Sequence, residues 1–158
     1  MAYARYRIPD EPRPTGLIRY AVDPLWPLMA LMLSGNGIGL LWFAFNARAL
    51  GSPAVLREAG YIAASLAGCV MAALVIGWAA DYGYLQGSAV KYAALAFPAV
   101  KLSLGYALYL SQSRSAELVT HYGGVLRNGA VGLLVCFLIG RSLLAEVELP
   151  GLLAVALR

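Results

Sequence analysis

Four apolar stretches follow one another along the chain, at Leu25–Ala47, Gly60–Ala80, Ala89–Ser111 and Gly129–Ala145, each separated from the next by a short polar segment. A helix needs about 20 mostly apolar residues to cross roughly 30 Å of hydrocarbon. The pattern therefore predicts an all-α, polytopic integral membrane protein: a bundle of four transmembrane helices occupying residues 24–147. A polar arm, residues 1–23, precedes the bundle, and a short apolar tail, residues 148–158, follows it.

The punctuation between the runs fits that division. Pro24 and Pro27 open the first helix, where a missing N–H costs nothing, and Trp26 and Trp42 stand near its ends as headgroup-level anchors. Gly51-Ser52-Pro53 is turn chemistry. Trp78, Asp81, Tyr82 and Tyr84 form an interfacial belt at the end of the second helix. Gln86-Gly87-Ser88 is a short link, so the second and third helices are expected to be antiparallel neighbours. Pro98 leaves the Ala94 carbonyl without its helical donor, which predicts a kink there. Beyond the third run, Gln112–Tyr122 is polar and helix-compatible until Gly123-Gly124 stops it.

Composition agrees with residence in lipid. Hydrophobic residues make up 61% of the 158 and charged residues 13%, with a mean hydropathy of +0.70, whereas soluble domains carry about 25% charged residues. The net charge of +4 does not point to nucleic acid, because the basic residues flank the apolar runs instead of forming one polar surface. Arg5, Arg7, Arg13 and Arg19 crowd the arm together with Pro9, Pro12 and Pro14, a density of proline that favours extended backbone. That arm reads either as an unstructured tail or as a strap with Ile8, Leu17, Ile18 and Tyr20 as contacts. The first apolar run is too long for a signal sequence. Four spans put both termini on one side, and the arginine bias favours the cytoplasmic face of a bacterial-type inner membrane.

Few residues carry chemistry. Lys101 falls at the centre of the third run, where a charge costs at least roughly 2.5–3.5 kcal/mol. Three readings compete for it: a cation in a substrate or ion path, a contact to a neighbouring subunit, or a lysine that snorkels to the interface. Asn36 lies at similar depth in Ser34-Gly35-Asn36-Gly37-Ile38-Gly39. Gly35 and Gly39 there allow close helix approach, as does Gly68 within the Ala64/Gly68/Ala72 stripe. Gly129, Gly132 and Gly140 mark packing on the fourth helix. Arg141, near the end of that run, is placed to meet headgroups or a partner. Cys69 and Cys136 lack the spacing of a metal or redox pair, and Glu117 with His121 reads as a surface pair. No cofactor, metal or catalytic motif is legible, so an enzyme is not expected. The function expected is that of a small accessory or structural subunit packing, amid membrane lipid, against other membrane-protein subunits. The alternative is a small transporter or ion-conducting homo-oligomer lined by Asn36 and Lys101.

Overall fold

The computed structural model describes residues 16–146, without the side chains of Arg141 and of residues 143–146. The arm before residue 16, the tail 148–158 and the expected contacts of Arg141 lie outside the described residues. Among these residues the fold is entirely helical. A 3-10 turn at Ile18–Tyr20 leads into six α-helices: α1 (Leu25–Ser34), α2 (Asn36–Ala49), α3 (Val55–Asp81), α4 (Ser88–Ala93), α5 (Ala96–His121) and α6 (Ala130–Glu146).

The first apolar run is not one helix. It breaks at Gly35, whose φ of 101° and ψ of 166° lie in a region that only glycine occupies without strain. The chain reverses there. Leu31 and Gly39 are eight residues apart and would be about 12 Å apart along a straight helix, yet a Cβ on Gly39 would run into the Leu31 backbone. The two legs, α1 and α2, therefore pack face to face as a helical hairpin. Its open end is tied shut: Asn46 near the end of α2 accepts from the Val22 N–H at 3.0 Å and donates to the Val22 carbonyl at 3.1 Å. At ten and fourteen residues, or about 15 and 21 Å, neither leg can cross a bilayer.

The remaining helices surround this wedge. α3 and α5 run antiparallel, Arg57 on one meeting Ser111 on the other at one end and Gly68 meeting Val100 further along. Gly105 on α5 receives the Leu31 side chain. α6 climbs beside the hairpin, with Gly129 under Trp26, Gly132 under Trp42 and Gly140 against Ser34. A Cβ at Gly140 would stand 2.7 Å from the Ser34 carbonyl oxygen, so this face of α6 has to be glycine to meet the hairpin tip.

The four-span expectation is thus corrected in part. Two segments among the described residues are long and apolar enough to cross a membrane, Val55–Asp81 and Ser88–His121. The first run folds back on itself, and the fourth forms a helix described over Ala130–Glu146. Residues 16 and 146 consequently lie at opposite ends of the bundle, not on one shared side. Leu17 sits by Arg48 and Gly51 at the hairpin's base, whereas α6 continues past the tip.

The helix breaks expected at Pro98 and Gly123 fall where the sequence puts them. The third run splits at Ala94–Leu95, one turn before Pro98, and the Ala94 carbonyl is taken instead by the Phe97 N–H at 3.2 Å. α5 extends through the polar stretch to His121, and Gly123 at φ 82° ends it. Trp78 stacks with Tyr84 at 5.6 Å and meets Tyr82 at 5.2 Å. Among the described residues of the arm, Ala21 and Val22 are buried, while Leu17, Ile18 and Tyr20 stay exposed.

Candidate functional site

Two groups of buried polar side chains lie at the two ends of the hairpin. At the base, Glu58 in the first turn of α3 is 1% exposed. Its Oε1 accepts from Ser52 at 2.7 Å and from Ser111 at 3.0 Å, and its Oε2 accepts from Gln112 at 3.1 Å. Gln112 also donates to the Phe43 carbonyl at 2.9 Å and accepts from Asn46 at 3.1 Å. Asn46 in turn holds Val22. One connected network thus joins the loop after α2, the hairpin's open end, the start of α3 and the end of α5. A carboxylate accepting three hydrogen bonds has most of its capacity filled, so this centre is suited to locking helices together and not to binding a ligand.

Sequence reasoning missed this network. Asn46, Glu58, Ser111 and Gln112 each flank an apolar run and read singly as interfacial residues. The only signal available was that four such residues occur at the same end of their runs once the first run is folded in half.

At the tip, the chain reversal exposes helix ends inside the bundle. Asn36 begins α2 and is 1% exposed. Its Oδ1 accepts from Ser65 at 3.2 Å and its amide donates weakly to the Cys69 sulfur at 3.8 Å. Lys101 on α5 is half-buried and follows Val100, which packs against Gly68, the residue before Cys69. Asn36 and Lys101 are therefore gathered around one cysteine of α3, eleven residues along from Glu58 and twelve before Asp81. That position is close to the middle of α3. The hydroxyl of Ser34 is buried there without a hydrogen-bond partner, the one such side-chain atom found among the described residues.

The glycines act differently from one another. Gly35 is the hinge, Gly39 admits the hairpin's own first leg, and Gly68 admits Val100 of α5. Gly35 and Gly39 are therefore not a packing stripe on one continuous helix. Glu117 and His121 line the wall of a basal cavity. No cluster of three or more His, Cys, Asp or Glu that could hold a metal occurs among the described residues. Comparison of the chain with protein-family models, curated proteins and solved structures returned no match.

Proposed function

We propose that the protein is a small integral-membrane subunit that packs the open half of its bundle against a larger membrane assembly. One observation carries this reading. Among the described residues, none on α3 after Cys69, none on α4 and none on α5 before Gly105 is buried. Met71, Val75, Trp78, Tyr92 and Leu95 are each more than half exposed there. In water such a surface costs about 25 cal/mol per Å²; lipid and a neighbouring helix remove that cost. Gly77 lies in this half, and a Cβ there would meet nothing within 4 Å, which leaves a smooth path for a partner helix to approach.

The folded-back first run also supports one orientation. It brings Arg19, Arg48, Arg57, Arg114 and Arg127 to the basal end, while Lys91 and Asp81 fall at the other. An excess of Lys and Arg marks the cytoplasmic side, so the base faces the cytoplasm of a bacterial-type inner membrane. The test of the subunit reading is mild extraction from native membranes followed by native mass measurement. Co-migration with other polypeptides is expected, and Gly77→Leu should reduce it without unfolding the chain. A lone monomer in native membranes would contradict the proposal.

The second reading, a transporter or ion-conducting homo-oligomer with a site at Asn36 and Lys101, is favoured by the hairpin tip. Irregular backbone at mid-membrane depth is tolerated where protein or a watery cavity surrounds it, and broken helices of this kind line transport sites. Lys101→Met separates the two. Loss of assembly supports the subunit; intact assembly with loss of a pH-dependent flux supports the pathway.

A further inference from the structure

Two cavities on the basal side share the same arginines. The larger, about 640 Å³, is walled by Arg57, Ser111, Arg114, Glu117 and His121 and reaches the loop at Pro53. The smaller, about 200 Å³, has Arg57, Ser111 and Arg114 in common with it and continues down the α3–α5 groove to Tyr61, Ala107 and Leu110. One cavity thus faces the aqueous end of the helices and the other their apolar flank, with two guanidinium groups at the junction.

Arg57 is held in that place. Its Nη2 donates to the Ser111 hydroxyl at 3.3 Å, and the same hydroxyl donates to the buried Glu58 at 3.0 Å. The side chain therefore bridges from α3 to α5 on a fixed anchor. Arg57 also stands in the first turn of a 27-residue helix with no side-chain cap, where unpaired N–H groups add positive potential. Arg114 comes from the facing helix. Glu117 stands on the larger cavity's wall and Glu58 lies buried one hydroxyl away from Arg57, so the two arginines are set against two acidic side chains, one of which is already taken up by Ser52, Ser111 and Gln112.

We propose that Arg57 and Arg114 form a site for the phosphate of an anionic phospholipid, whose acyl chain lies along the groove beside Tyr61 and Leu110. Planar guanidinium groups match phosphate oxygens in a bidentate manner, and a molecule with a charged head and apolar tail fits a site divided in the same way. The cytoplasmic leaflet, which the base is proposed to face, is the one that carries negative surface potential. This inference rests on the membrane reading above.

The test uses the full chain purified in micelles and offered equal amounts of phosphatidylglycerol and phosphatidylcholine with identical acyl chains, the retained lipid being read by native mass spectrometry. Each arginine near the surface contributes roughly fivefold in affinity for anionic lipid. The unmodified protein should retain phosphatidylglycerol preferentially. Arg114→Gln should cut that preference roughly fivefold, Arg57→Gln with Arg114→Gln should abolish it, and Lys91→Gln at the far end should leave it intact. Both arginines are exposed, so the variants keep the buried core, and unchanged thermal melting checks this. Equal retention of the two lipids by the unmodified protein, or a double variant with its preference intact, would overturn the proposal. So would arginine-dependent stabilisation by millimolar inorganic phosphate matching that of the lipid, which would assign the site to a free anion. If alkaline carbonate strips the chain from membranes, the membrane reading itself fails; if the chain stays and shows no lipid preference, only this site fails.

Discussion

The basal half of the bundle and the half beyond the hairpin tip share α3 and α5 but are held by different means. In the basal half, α3 and α5 close around the α1–α2 wedge, and Leu31, Leu40, Phe43 and Leu108 form one buried cluster while Ala21, Ala49, Leu50, Ala116 and Val119 form another. The Glu58–Gln112–Asn46 network ties these clusters together. Beyond the tip, no described residue of α3, α4 or the start of α5 is buried. The difference follows from one residue: because the chain turns back at Gly35, the first run fills one half of the bundle and, among the described residues, leaves the other without a buried core. Self-sufficiency at one end and dependence at the other is the physical content of the subunit proposal.

The comparison can be broken hardest at Gly39. Leucine there would collide with the Leu31 backbone, which cannot move aside as a side chain can. The expected loss exceeds the roughly 1–3 kcal/mol of ordinary overpacking, and no monodisperse protein should be recovered on size exclusion in detergent. Asn36→Leu should be milder, because hydrogen bonds in such settings contribute only about 0.6–2 kcal/mol. The reverse order would mean that the tip, not the hairpin's packing, governs the fold.

Glu58→Leu comes next. It strips the acceptor from Ser52, Ser111 and Gln112 at once, and each buried donor left unsatisfied costs about 1–3 kcal/mol. Denaturation in mixed micelles reads this directly. A loss below about 1 kcal/mol would show that the network is incidental. Asn46→Ala frees both backbone groups of Val22 and is expected to cost about 2 kcal/mol, with faster amide exchange at Val22 than at residues of α3.

The losses at Glu58 and Asn46 fall on residues that the sequence did not single out as site residues, and the reason is physical. Hydropathy counts how many apolar residues occur in a row and is blind to the direction the chain takes. Leu25–Ala47 is long enough to span and contains glycines common to many spanning helices, so nothing local distinguished the hinge at Gly35 from the packing contact at Gly39. Pairings such as Asn46 with Gln112 join residues 66 apart, and no local pattern encodes them. What was legible depended on local backbone chemistry: the helix over Gly60–Ala80, the break before Pro98 and the stop at Gly123. Asn36 and Lys101 were legible as polar groups at one depth, but Ser65 and Cys69, which complete their surroundings, look like ordinary small residues of an apolar run.

The smallest expected effect sharpens the contrast at the tip. Ser34 is 4% exposed and its hydroxyl is unpaired, so Ser34→Ala should be neutral or stabilise by up to about 1 kcal/mol. Ser65→Ala, which removes a hydrogen bond to Asn36, should cost about 1 kcal/mol in the same assay. Equal losses would mean that the Ser34 hydroxyl has a partner in the purified protein.

The folded-back first run underlies every part of this account, and one distance tests it. Spin labels at Leu25→Cys and Arg48→Cys, both exposed positions, can be placed in a Cys136→Ala background in which the remaining Cys69 is buried. A hairpin closed by Asn46 predicts a pulsed electron-spin distance below about 20 Å, whereas a straight helix over the 23 intervening steps predicts about 35 Å. A single population at the shorter distance is the expected result, and a population centred at the longer one would contradict the account.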